Sequence, residues 1–370
     1  MSRNPRKKRP AVAQKGGEIG YILSPRLDFW MTGGVSILVM LGLLGYIAMR
    51  GGEAGAGGAA VLGSAFVLHA LLNWPHFMGA YSLLYRPAGN IRKYPMATLY
   101  VPLSLLAIIV WAVDVPAQRL GQAIAVNQEV GYFLWLVAAF YLAWHYTGQA
   151  WGMVATFARL SGTELTPAER WLVRSGFITL LVWHVVWGAQ DLPVHWLGGI
   201  LQYVPEGLQV MNVICCLAFL LGLAVWYRVA QRMARFPDMR ILASWFSIYL
   251  WYLVLFFMPE AYLLVQFSHA LQYLAFPLRV ELNRAAGTAV GSRRPGELSW
   301  SLVYYVILVA AGLVVFYLPE TVSLATQQFS LAVLIASAVS IHHYFVDSCI
   351  WKISNPTVRK ELFAHLGKVK

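Results

Sequence analysis

The sequence predicts an all-α polytopic membrane protein, about ten transmembrane helices in a single bundle with both termini cytoplasmic. Three observations carry this. Of 370 residues, 59% are hydrophobic and 12% charged, about half the charged share of a typical soluble domain. Ten apolar stretches approach the roughly 20 residues that cross a hydrocarbon core about 30 Å thick. The Lys and Arg residues alternate in space with the acids, loop by loop.

The stretches are 29–49, 60–85, 96–113, 129–157, 171–187, 208–228, 241–258, 260–280, 301–318 and 327–351. Pro205-Glu206, Pro259-Glu260 and Pro319-Glu320 are each read as opening a helix, with Pro at an early position and an acid at the positive end of the dipole. The short link at Met258-Pro259 predicts a tight antiparallel hairpin. Pro75 predicts a kink in the second helix and a freed carbonyl. No strand-like alternation competes, so a barrel is not expected. The first run lacks a small-residue cleavage site and reads as a retained helix. Mean hydropathy is +0.60.

With the N-terminus inside, nearly all Lys and Arg fall in the inner segments or at adjoining helix ends, with Arg50 and Arg119 outside. The outer segments carry Glu53, Asp114, Glu129, Asp191, Glu206, Glu260 and Glu320. This is the positive-inside pattern, and a bacterial-type inner membrane is the expected location. The net charge of +12 is therefore a topology feature beside anionic lipid, and nucleic acid is not an expected partner. The domains are a basic cytoplasmic tail at 1–28, a transmembrane helical domain at 29–351 and a second basic tail at 352–370. Cys215, Cys216 and Cys349 form no disulfide framework.

Polar groups are costly inside a membrane helix and point to function. Nine histidines occur. His69 and His76 lie on the second predicted helix, His145 on the fourth, His269 on the eighth, and His342 and His343 on the tenth. His184 and His195 read as interfacial or structural. At about 1.5 Å of rise per residue, His76, His145, His269 and His342 sit roughly 13–18 Å from the cytoplasmic ends of their helices. Four helices thus bring imidazole to one layer. Asn73 shares a face with His69 and His76; Gln149 follows His145 by four, Gln272 follows His269 by three, and Asp347 follows His343 by four.

Imidazole with a carboxylate one turn away suits Zn, Fe or Cu, and the carboxylate can ligate or orient a ring. The metal candidates are His69, His76, His145, His269, His342, His343 and Asp347. Asp347, Gln149 and Gln272 are candidate catalytic groups. His69 and His76 are two turns apart, about 10 Å, so they cannot share an ion; one of them could hold a second. His342 and His343 point about 100° apart and are not expected to share a role. Haem, held by two facing histidines, is an alternative.

Trp74-Pro75-His76-Phe77, Trp144-His145-Tyr146-Thr147-Gly148-Gln149 and His343-Tyr344-Phe345-Val346-Asp347 resemble the Pro-His, Trp-His-aromatic-Gly and His-x-x-x-Asp motifs of the bacterial integral-membrane β-carotene-cleaving dioxygenases. Gln149 stands where that pattern carries an acid. The resemblance implies iron held by His76, His145, His269, His343 and Asp347. The expected function is an iron-dependent intramembrane oxidoreductase, holding one or two metal ions. Its substrate would be hydrophobic or lipid-soluble, and a redox partner would supply electrons. Two rivals remain at this level: a proton-coupled transporter, and a haem- or pigment-binding subunit or assembly factor of a membrane complex.

Overall fold

A computed structural model describes residues 20–50, 55–113, 123–190, 198–288, 296–351 and 356–366. Glu53, Asp114, Arg119, Asp191, His195 and the basic residues before position 20 lie outside these. The long helices are α1 (Pro25–Met49), α2 (65–85), α3 (Met96–Ala112), α4 (Gln128–Leu160), α5 (Pro167–Gly188), α6 (Val204–Met233), α7 (Met239–Phe257), α8 (Tyr262–Thr288), α9 (Leu298–Val322) and α10 (Leu331–Ile350). Among the described residues there is no strand, only two isolated bridges. Six helices (α1, α5, α6, α7, α9 and α10) are long and apolar enough to cross a membrane. The architecture is that of a multi-pass membrane protein.

Helix ends follow local chemistry. Asn127 caps α4 by accepting from the N–H groups of Glu129 and Val130. Thr166 and Glu169 form a reciprocal capping box that starts α5 four residues before the apolar run. Pro205 and Glu206 stand in the first turn of α6, and Pro259-Glu260 forms a single 3-10 turn leading into α8. Pro319-Glu320 differs from expectation: it lies in the last turn of α9. Helix α10 instead begins after Ser330, whose hydroxyl accepts from the Val333 N–H. A side-chain cap leaves the start of α10 with no need of the proline.

Helix α7 is the central post: 72% of its apolar window is buried, against 17% for α6 and 22% for α9. It packs on α1 and α4, while α6 leans on α5 and α9 on α2. Trp251 of α7 is fully buried and donates to Ser36 Oγ of α1 at 2.5 Å. Val210, Val213, Leu217 and Leu220 of α6 and Leu302, Val306 and Val314 of α9 are exposed, a large apolar surface that lipid covers.

At Gly33, α1 meets the backbone of α7. A Cβ there would lie 2.5 Å from the Ala243 carbonyl carbon and 2.6 Å from its oxygen. Backbone cannot yield as a side chain can. Gly33→Ala should therefore separate α1 from α7 and cost about 1–3 kcal/mol. The check is the midpoint of heat-induced loss of the monodisperse protein peak, which should fall.

The predicted tails are structured where they are described. Ile22 and Asp28 are fully buried, and Leu362 and Phe363 pack into the main core. Asp28 accepts from the Ile22 and Leu23 N–H groups at 2.7 and 2.8 Å. Arg240 donates to the Gly20 carbonyl at 2.9 Å and contacts Asp28 at 3.3 Å. Arg279 donates to the Ile22 and Leu23 carbonyls, and His365 binds the Tyr21 carbonyl at 2.9 Å. The strap 20–28 is thus tied to α7, α8 and the C-terminal segment. The buried acid Asp28, read as part of a tail, is the anchor.

Candidate metal centre

Helix α2 is irregular where it meets the site. Residues His69–Asn73 form a π-helical turn, directly before Trp74-Pro75. Proline has no N–H to offer the Leu71 carbonyl one turn back. The Tyr305 hydroxyl of α9 donates to that carbonyl instead. The freed carbonyl expected at Pro75 is therefore used, but by a neighbouring helix rather than by the site. Gly312 of α9 allows the close approach, since a Cβ there would lie 2.7 Å from Trp74 Cβ. The result sets His76 pointing inward.

His76 Nδ1 donates to the Asn73 carbonyl at 2.5 Å. A carbonyl can only accept, so Nδ1 carries the proton and Nε2 presents a lone pair. His145 Nε2 on α4 lies 3.0 Å from His269 Nε2 on α8. His343 Nε2 on α10 lies 3.4 Å from Asp347 Oδ2, and His145 Nε2 lies 3.7 Å from the same oxygen. One ligating atom from each of His76, His145, His269 and His343 falls within 4.8 Å of all the others. The rings stand 4.7 Å apart for His76 and His343, 4.7 Å for His145 and His269, 5.0 Å for His145 and His343, and 5.2 Å for His76 and His269. None of the four is more than 7% exposed.

Asp347 is held from the other side. Tyr273 donates to its Oδ1 at 2.9 Å, and Trp351 Nε1 donates to the Tyr273 hydroxyl at 2.8 Å. That leaves Oδ2 directed at His145 and His343. Tyr344 stacks on His145 with centroids 4.5 Å apart, and Tyr146 and Phe77 pack against His269 and His343 at 4.5 and 4.6 Å. Aromatic walls of this kind exclude water and hold the rings in place.

The other candidates fall elsewhere. His342 Nε2 contacts the Ala97 carbonyl at 2.6 Å and its ring stacks on Tyr81. It braces α10 against the start of α3, outside the cluster; the residue at that layer is His343. His69 lies 3.3 Å from the Asn73 amide, beside Phe267 and Trp74, and also stands apart. Gln272 donates to the Thr32 carbonyl at 2.6 Å and accepts from Gln149 at 3.3 Å. It ties α8 to α1 and touches none of the four rings by hydrogen bond. Gln149 also donates to the His269 carbonyl at 3.0 Å, while its own Oε1 is buried without a partner.

A cleft of about 270 Å³ opens beside the cluster between α4, α8 and α10. His145, Gln149, Tyr273 and Asp347 line its polar side, and Met153, Phe276, Tyr344 and Trp351 its apolar side. Gly148 and Gly152 form part of the rim, and a Cβ at either would meet open space. Tyr273 was legible in principle as a partner, because it follows His269 by one turn on the same helix. Trp351 was legible in the same way, four residues after Asp347, whereas Tyr305 had no such marker.

The ordinary alternative for buried histidines is a closed hydrogen-bond network. Here His76 Nε2, His269 Nδ1 and both nitrogens of His343 have no hydrogen-bond partner. A cation at the centre would take one lone pair from each of His76, His145, His269 and His343. With metal–nitrogen bonds of about 2.0–2.1 Å, ligand atoms lie roughly 3.3–4.2 Å apart, close to the spread seen. The donor set fits a metal. Comparison with protein-family models, curated proteins and solved structures finds no match to this chain.

Proposed function

We propose that this protein is an intramembrane metalloenzyme, an iron-dependent oxidoreductase acting on a hydrophobic substrate that enters from the bilayer. The observation that carries the reading is the set of partnerless imidazole nitrogens at the meeting of four helices. His76, His145, His269 and His343 would hold the metal. Asp347, fixed by Tyr273, would ligate it or accept a proton from His145 or His343. Bound iron supplies the capacity to activate dioxygen. Gln149 lines the cleft, and its unpaired Oε1 would accept a hydrogen bond from substrate. The apolar wall from Met153 to Trp351 would bind the substrate's hydrocarbon part and keep water out. The contacts among the four rings leave no slot for a macrocycle between them, which weighs against haem.

Orientation follows the same reading. The arginine-rich ends of α2, α4, α6 and α8 and the starts of α5 and α7 would face the cytoplasm, with ten spans in a bacterial inner membrane and both termini inside.

Two measurements test this. Purified protein should carry one to two equivalents of metal, iron above zinc and copper; negligible amounts of all three would end the reading. Gly152→Leu places a side chain in the cleft without meeting backbone. It should leave metal content unchanged and lower dioxygen uptake by proteoliposomes given a lipid extract by about tenfold or more. Unchanged uptake would show that the cleft is not the substrate route.

A further inference from the structure

We propose that a second cavity, between α5, α6 and α7, binds a lipid-soluble quinone. Its volume is about 440 Å³ and its walls include Trp183, Phe219, Phe246, Tyr249 and Tyr252. Such a space accepts a flat ring. Tyr252 is 5% exposed and Tyr249 8%, and neither O–H has an acceptor. An unpaired O–H inside a membrane is costly, because neither water nor lipid tails can accept from it. Trp183 Nε1 donates to Asn212 Oδ1 at 2.6 Å, which leaves the Asn212 NH2 as a further donor at the wall. Donors therefore predominate, and no ionised side chain lines the space. The complementary ligand is uncharged, apolar and equipped with carbonyl oxygens.

Depth distinguishes a quinone from a phospholipid ester, which offers the same acceptor. Tyr252 lies five residues and Tyr249 eight residues before Phe257, the last residue of α7. These are depths of about 7 and 12 Å along the helix. Ester carbonyls remain near the interface, whereas a quinone head can enter the hydrocarbon. Leu220, Leu253 and Phe256 are exposed at the mouth, so the ligand arrives from the bilayer.

The cavity connects by packing to the histidine layer. Tyr146 lies 4.5 Å from His269 and 6.1 Å from Trp251 by ring centroids, and Trp251 precedes Tyr252 in the chain. The binding claim does not rest on the metal reading.

The test is photolabelling of the full chain in phosphatidylcholine nanodiscs with an azido-quinone. Label should concentrate on peptides of α5, α6 and α7, and excess unlabelled quinone should suppress it while added phosphatidylethanolamine does not. Tyr252→Phe should weaken apparent affinity about tenfold, the effect of one lost hydrogen bond to a buried partner. Leu253→Trp, at an exposed position, should block the mouth and abolish labelling. Label spread evenly over α6 and α9, equal displacement by phospholipid, or wild-type labelling of both variants would overturn the proposal. His145→Ala/His343→Ala protein should label normally. Wild-type protein that labels but holds no metal would remove the metal reading and leave this one standing.

Discussion

Protein in which His145 and His343 are both alanine should retain less than about a tenth of the metal bound by wild type, since loss of even an outer-shell partner typically costs 10–100-fold in affinity. The pair is chosen because the two rings come from α4 and α10 and both approach Asp347 Oδ2, at 3.7 and 3.4 Å. Removing them takes away half the imidazoles and strands the carboxylate. His69→Ala and His342→Ala serve as controls. Both are buried or half-buried helix residues of the same type, yet both lie outside the cluster. Metal analysis should therefore separate the double variant from the two controls. Equal metal in all four proteins would show that the cluster is not the binding site.

Asp28→Ala should lower stability by about 1–3 kcal/mol, the cost of leaving buried donors unsatisfied, since Arg240 keeps its closer partner Asp238 at 2.7 Å. Arg240 is 2% exposed and Asp28 fully buried. The change leaves the Ile22 and Leu23 N–H groups without their acceptor. Asp28→Asn keeps one oxygen for those N–H groups and should cost less. Heat-induced loss of the folded peak measures both. Asp238, just before α7, adds a pH dependence. Burial opposes its charge, but hydrogen bonds and the positive charge of Arg240 prevail and hold its carboxyl below the usual aspartate value. A depressed carboxyl contributes stability above the unfolded value, near pH 4, and loses it as pH falls through the folded value. Wild-type stability should drop on that acid side, and the drop should be smaller in Asp238→Asn.

Much of this was readable beforehand, for reasons that differ by element. Apolar runs located α1 to α10 with ends within five residues, except at α8, which continues eight residues past position 280 to Thr288, because polar residues lengthen a helix without lengthening its apolar run. Cap chemistry was missed at Thr166, which lies before the run 171–187, and at Ser330, which the run 327–351 absorbed. The helical depth argument brought His76, His145 and His269 to one layer and placed His342 there too, while His343 was named a ligand from the motif resemblance. Adjacent residues differ by only about 1.5 Å in depth, so depth cannot decide between them; direction around the helix does, and that depends on what α10 faces. Gln272 looked like a partner of His269 at three residues' distance, but Thr32 of a distant helix claims its amide. The strap at 20–28 was invisible because its partners, Arg240 and Arg279, are over 200 residues away.

The placement of His343 and Asp347 on α10 has a consequence for biosynthesis. Three of the four imidazoles leave the ribosome earlier, on α2, α4 and α8, while the fourth and, among the described residues, the one carboxylate beside them arrive on α10. A partly made chain, already threaded into the bilayer, would have an incomplete coordination sphere. If these residues hold a metal as proposed, its acquisition would follow translation, when α10 docks against α2 and α4, and copies truncated before α10 would stay in the apo form.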